Sequence, residues 1–252
     1  MARADVLPVA RMHDESRPAD PHAARCHSCA VRETALCASM NDRELTALSV
    51  IGRRRVVPAG QVISWAGDIS SFCANVVSGA LKVTAALADG REQIVGLMFP
   101  GDFVGQLFTD ETNLTITAVM DTDLCGYPRG AFETVLGDTP RMERMLLKRT
   151  MASLNEARDR MLSLGRKNAQ ERVAGFILDL AERAGRRGAD GCLHVFLPLS
   201  RGEMADYLGL TIETVSRQLT RLRSANIIAF ANGDRDCRVL DPDRLDDIVN
   251  PL

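Results

Sequence analysis

Apolar positions along the chain change period twice. From Arg53 to Leu136 they fall in short runs broken by turn residues: VVPAG, VISWAGD, NVVSGALKV, AALADGREQIVGLMF, PGDFVG and LTITAVM. Glycines punctuate these runs, and Asp89-Gly90 between two of them is a hairpin signal. Short, regularly spaced strands of this kind predict an antiparallel barrel or jelly roll. From Pro140 to Gly165 the run PRMERMLLKRTMASLNEARDRMLSLG has no interior proline or glycine and predicts one long helix. Pro140 suits its first turn and Gly165 its stop. Along it Leu147, Thr150, Leu154, Ala157, Met161 and Leu164 alternate at spacings of three and four, the seam of a two-stranded coiled coil. An ordinary amphipathic helix packed on its own domain has much the same periodicity.

Beyond the connector the pattern is helical again. KNAQERVAGFILDLAERAG places Val173, Phe176, Ile177 and Leu180 on one face, and LHVFLPL alternates as a short strand. SRGEMADYLGLTIETVSRQLTRLRSANII then reads as two short helices about Gly209-Leu210-Thr211, with Ala205, Leu208, Ile212, Val215 and Leu219 as core, a helix-turn-helix pattern. Glu213, Ser216 and Arg217 leave one face of the second helix near its N-terminus, the end that reaches base edges. Arginine suits guanine O6/N7, glutamate a cytosine amino group and serine several partners. The same residues also suit a solvated helix face. Thr211 in the turn joins this set, and Arg221 and Arg223 are phosphate contacts or solubilising charge. IIAFANGDRDCRVLD reads as two strands about a glycine turn, a wing beside the helices. At the other end, NDRELTALSVIG is a capped helix leading into the strands. Residues 1–25 are polar, carry Pro8, Pro18 and Pro21, and read as a flexible tail.

Composition narrows the class. The 252 residues, 46% hydrophobic and 25% charged, suffice for two modest domains with proper cores. No apolar run approaches the ~18 residues of a membrane span, and the N-terminus lacks a signal peptide's apolar block, so a cytoplasmic location and no membrane partner are expected. Seven cysteines, an odd number, are then expected to be reduced thiols or metal ligands. The net charge of −2 is no sign of nucleic acid, and residues 165–252 carry 13 Lys+Arg against 13 Asp+Glu. DNA binding must therefore come from local placement. In CHSCAVRETALC, Cys26 and Cys29 can grip one metal or cluster edge, with Cys37 following. A fourth ligand must be distant. Cys125 is the best placed, because TDLCGYP follows a strand and ends at a turn. Iron–sulfur and zinc both accept four thiolates, and His27 is a bystander. Cys73, Cys192 and Cys237 read as structural. There is no nucleophile–base pair and no open metal position, so no enzyme is expected.

β-roll, long helix and winged helix-turn-helix together resemble the CRP/FNR superfamily of transcription regulators, over essentially everything from Cys26 onward. LGLTIETVSRQLTRL is close to that family's recognition segment, and Glu213, Ser216 and Arg217 resemble the FNR version. Cys26, Cys29, Cys37 and Cys125 are similar to the set that holds an oxygen-labile four-iron, four-sulfur cluster in FNR proteins. The seven-residue gap before Cys37 matches the FnrL and FnrN type, where the best-known FNR pattern has five. The cyclic-nucleotide branch binds its phosphate with a glutamate and an Arg-Ser pair. Here GDFVGQLF has Gln106, and no lysine or arginine lies between Arg91 and Arg129. A phosphate there would have no cation.

The resemblance implies an α+β chain: a flexible tail (1–25), a cluster-binding segment with an antiparallel β-roll of the cyclic-nucleotide-binding-domain type (26–139), a dimerisation helix (140–165) and a winged helix-turn-helix (166–252). It implies an oxygen-responsive regulator with one cluster per subunit and no cyclic nucleotide, a homodimer on double-stranded DNA of the TTGAT-N4-ATCAA kind, acting through RNA polymerase. A regulator of the same fold controlled by zinc, nitric oxide or another ligand, or a structural metal protein, is the alternative.

Overall fold

The computed structural model describes residues 25–231 and 235–250. The tail, Arg25 apart, and Gly233 at the wing's turn lie outside the described residues. The first domain is two four-stranded sheets, antiparallel throughout. One has the order β1 (Arg53–Val57), β8 (Thr122–Pro128), β3 (Phe72–Ser78), β6 (Phe103–Val104); the other has β2 (Val62–Ser64), β7 (Thr115–Ala118), β4 (Leu81–Ala86), β5 (Glu92–Met98). Strand side chains alternate between faces. Val57, Ala74, Val76 and Leu124 of one sheet thereby meet Leu81, Ile116 and Ala118 of the other in a single core. This is the expected β-roll, with Asp89-Gly90 in the β4–β5 hairpin.

Helices flank the roll. α1 (Asp42–Ile51) starts in a capping box in which the Asn41 side chain accepts from the Glu44 N–H and the Glu44 carboxylate accepts from the Asn41 N–H. α2 (Arg129–Gly137) corrects the sequence reading, which carried the strand region to Leu136. Phe132 and Leu136, one turn apart, bury one face of a helix too short to show a period. α3 (Pro140–Arg166) is the long connector, 27 residues and about 40 Å long.

α4 (Ala169–Ala184) opens the C-terminal domain, with Val173, Phe176, Ile177 and Leu180 buried as expected. β9 (Arg186–Arg187) and β10 (Leu193–Phe196) follow, then α5 (Arg201–Leu208), α6 (Ile212–Ser224), β11 (Ile228–Phe230), β12 (Asp236–Val239) and α7 (Pro242–Val249). The small sheet runs β11-β12-β10-β9. α5 ends at Gly209, whose φ of +61 a Cβ would strain, and the chain turns there into α6. Ala205, Leu208, Val215 and Leu219 are buried, but Ile212 is 52% exposed. It stands at the first position of α6, over Gly202 at the start of α5 and outside the core.

The two domains touch. Ala80, Ile94, Leu97 and Phe99 of the roll share the C-terminal domain's core, Lys82 pairs with Glu203 at 2.7 Å, and the Arg160 guanidinium lies 3.4 Å over the Tyr207 ring. Arg172 donates to Leu164 O and Lys167 O at the end of α3 and to Leu208 O at the end of α5, clasping three elements at carbonyls that helix ends leave open.

Candidate functional site

The TDLCGYP segment is itself strand β8, a correction to the reading that it follows a strand. Cys125 is therefore held mid-sheet. Alternation puts Asp123, Cys125 and Tyr127 on one face, and the register sets Arg54 of β1 and Asn75 of β3 directly beside Cys125. Against that face lies the segment before α1. Cys26 and Cys29 share a turn closed by Cys29 N–H to Cys26 O at 3.3 Å, and Cys37 sits in a single 3-10 turn, Leu36–Ser39. Cys37 is buried, and Cys26, Cys29 and Cys125 pack half-buried around the same apolar cluster of Leu36, Leu45, Phe132 and Met142.

Burial pushes the Cys37 thiol up to about 11, with Arg32 opposing and Cys29, Cys125 and Cys26 adding to the rise. Burial likewise raises Cys26, helped by Cys125, and raises Cys125 against the Tyr127 hydroxyl, Arg25 and Arg54. Cys29 acts on all three of these thiols, which puts the four in one neighbourhood. Cations surround it: Arg54, paired with Asp123, donates to Cys29 Sγ at 3.7 Å, and Arg32 donates to Cys37 O at 2.7 Å. Arg25 is anchored on Ser49 O and Gly52 O beside Cys26. Among the described residues no three Cys, His, Asp or Glu side chains are gathered as a single-ion site. A single zinc ion needs four thiolates on one point, whereas a cubane takes one at each of four corners. Thiols in an apolar shell with arginines at its rim fit a group held by thiolates, since the guanidinium charges offset theirs.

The same apolar cluster takes in Met142, Met145 and Leu146 from the start of α3. Arg149, one turn on, donates to Gly101 O at 2.6 Å and to Thr34 O, between Cys29 and Cys37. The cysteine segment is thus packed on and hydrogen-bonded to the start of α3. Of the six seam positions, Leu147, Thr150, Leu154, Ala157 and Met161 are exposed and Leu164 is half-buried, and Met151 and Leu162 add exposed apolar surface that the heptad reading omitted. Ala157 and Leu164 border a cavity of about 480 Å³ between α3, β5 and the C-terminal domain.

On α6 the buried face is Val215, Gln218, Leu219 and Leu222, which leaves Glu213, Ser216, Arg217, Arg221 and Arg223 exposed. Thr211 caps the helix, its hydroxyl accepting from Thr214 N–H at 3.2 Å. Glu213 is held below the usual carboxylate range by its own backbone N–H and the Thr211 hydroxyl, so it is an acceptor facing outward. The N-terminal residues of an uncovered helix can enter a major groove, and the helix's positive end favours phosphate nearby.

A second cavity, about 190 Å³, lies inside the roll between residues such as Ile63, Phe72, Met98, Gln106 and Ile116. Its one charged lining residue is Asp68. Cys73, on β3, is buried in the same apolar cluster as the four thiols, Cys237 is buried in the C-terminal domain's core and Cys192 is half-buried. Sequence reasoning missed Arg25, Arg32, Arg54 and Tyr127 around the thiols and Arg149 on α3. Tyr127 alone carried a local signal, two residues after Cys125 in a strand.

Residues 54–139 match the family model described as "Cyclic nucleotide-binding domain" and residues 171–248 that described as "Crp-like helix-turn-helix domain". The chain is 41% identical over 224 residues, 88% of its length and 90% of the relative's, to "Transcriptional activator protein FnrL" of Cereibacter sphaeroides. It is 36% identical to "Nitrogen fixation regulation protein FixK" of Bradyrhizobium diazoefficiens, covering 90% of this chain and 94% of that one. The "Fumarate and nitrate reduction regulatory protein" of Yersinia pestis is 30% identical over 82% of this chain and 84% of its own. Among solved structures, FixK2 from Bradyrhizobium japonicum superposes with a TM-score of 0.72 at 33% identity, over 79% of this chain and 97% of that one.

Proposed function

The chain belongs to the CRP/FNR family of transcription regulators and is not an enzyme, and from that premise we propose that it is an oxygen-responsive regulator whose four-iron, four-sulfur cluster is held by Cys26, Cys29, Cys37 and Cys125. The observation that carries the reading is the placement of those four thiols in one apolar cluster with the first turns of α3; Cys73, fully buried on β3, lies in the same cluster and is kept as a core side chain. When bound, the cluster supplies the chemistry that oxygen disrupts. Everything else belongs to the protein. Arg25, Arg32 and Arg54 offset the charge of the thiolates, and Phe132 and Met142 limit water. Arg149 and the Met142–Leu146 packing tie the segment to α3. The exposed stripe Leu147, Leu154 and Met161 pairs with its copy in a homodimer, which sets two α6 helices on a palindromic site. Glu213, Ser216 and Arg217 read bases, with Thr211 and Arg221 on the backbone. RNA polymerase is the downstream partner and the cytoplasm the location; among the described residues no helix is long and apolar enough to cross a membrane. Cyclic nucleotide is not the effector, because the cavity in the roll is lined by Asp68 and by no lysine or arginine.

Fluorescence anisotropy with a TTGAT-N4-ATCAA duplex tests this, using protein reconstituted without oxygen and the same protein after air. Tight binding that weakens on air exposure is expected. Equal affinity in the two states overturns the oxygen-responsive reading.

A further inference from the structure

Tyr127 and Asn75 are two buried polar side chains beside Cys125. Tyr127 is 4% exposed and Asn75 2%. The Tyr127 hydroxyl lies 3.2 Å from Cys125 Sγ, and Asn75 Nδ2 donates to that hydroxyl at 3.5 Å. Asn75 Oδ1 is buried without a partner, so the amide is turned toward the tyrosine at the expense of its own carbonyl. The ring is fixed from the side: it packs on Phe132 with centroids 5.2 Å apart, and Phe132 stacks on Phe103 at 5.1 Å. A thiolate has lone pairs and no proton. With Asn75 donating into the tyrosine oxygen, the one remaining direction for the hydroxyl proton is the sulfur of Cys125. Once Cys125 is a thiolate ligand, the relay Asn75 Nδ2–H to Tyr127 O–H to Cys125 S⁻ is polarised along its length.

We propose that Tyr127, oriented by Asn75, is a positioning residue that donates a hydrogen bond to the ligand sulfur of Cys125 and thereby slows loss of the cluster in air. The inference rests on the reading of Cys125 as a cluster ligand. A hydrogen bond to a ligand sulfur draws charge from it, weakens its donation to iron and makes the site harder to oxidise, the usual effect of a partner behind a metal ligand. A tyrosine that served the core alone would contribute packing and leave the metal–sulfur bond unaltered. Tyr127→Phe separates the two roles, since the ring and its stacking stay and the hydroxyl goes.

The experiment reconstitutes wild type, Tyr127→Phe and Asn75→Ala without oxygen, and measures iron and sulfide content, the resonance Raman iron–cysteine stretch in H2O and D2O, and the half-life of visible absorbance in air-saturated buffer. All three proteins should load equally. Tyr127→Phe should raise the stretching frequency, lose part of its deuterium shift and shorten the half-life about threefold to tenfold, with Asn75→Ala between it and wild type. Identical spectra and half-lives in wild type and Tyr127→Phe overturn the inference and leave the cofactor reading standing. Should Tyr127→Phe fail to fold, an Asn75→Ala protein indistinguishable from wild type overturns it equally. A wild type that takes up no iron and sulfide removes the cofactor reading, and this inference with it.

Discussion

Replacing Leu147 and Leu154 together with alanine strikes two seam positions of α3 that are exposed in the single chain. In the single chain Leu147 is 62% and Leu154 41% exposed. Full burial of a leucine contributes about 1.5–3 kcal/mol, so the open fractions hold about 1–2 kcal/mol at Leu147 and somewhat less at Leu154. Alanine keeps roughly a third of that area, which makes the loss about 1–2 kcal/mol per chain and about 2–4 per symmetric dimer. The dimer dissociation constant should then rise about thirtyfold to a thousandfold. Such a change decides the oligomeric state, because the margin is thin. Taken with Met151, Met161 and Leu162, the stripe offers about 8–17 kcal/mol across two helices at best, against about 4–15 for association. Sedimentation equilibrium of cluster-loaded wild type and double variant, over a concentration series without oxygen, measures the two constants. Constants within about twofold of each other would refute α3 as the pairing surface.

Other outcomes follow from the same structure. Arg217→Ala should lose about 1–3 kcal/mol of DNA affinity and relax preference at one guanine position, whereas Arg223→Ala should weaken all sequences alike; binding to a panel of single-base variants distinguishes them, and parallel losses would contradict the assignment. Cyclic AMP should give no micromolar binding heat in calorimetry, since Gln106 and Asp68 offer its phosphate no cation; such heat would contradict the account. Burial lifts Cys73 and Cys237 from 9.0 to about 12. Their folded pKa is raised, so their contribution to stability is complete below pH 9 and is lost as pH rises toward 12. Under reductant, the urea midpoint of cluster-free protein should fall across that window, and less steeply in Cys237→Ala; equal slopes would contradict the burial argument.

Much of this molecule could be read from local pattern. Alternation and glycine punctuation marked the strands of the roll, and the uninterrupted run from Pro140 marked α3 because nothing in it breaks a helix. α5 and α6 were legible through Gly209, and the buried set Ala205, Leu208, Val215 and Leu219 followed from helical spacing. Ile212 defeated that logic, since periodicity places a residue on a face but not beyond the end of the packed region. α2 was invisible because nine residues with two buried positions match a strand run as well as a helix. The surroundings of the thiols were the least legible part. Arg54 and Asn75 become neighbours of Cys125 only through the β1–β8 and β3–β8 registers, and register is a long-range property. Arg149 reaches Thr34 across the fold in the same way.

Reconstitution without oxygen, followed by iron and sulfide analysis and a visible spectrum before and after air, bears most directly on the claim that Cys26, Cys29, Cys37 and Cys125 hold an oxygen-labile cluster. Wild type should carry one four-iron, four-sulfur cluster per chain whose absorbance bleaches in air, and single alanine replacements of those four cysteines, unlike Cys73→Ala, should not retain it. A wild-type protein that holds zinc with no acid-labile sulfide would contradict the account.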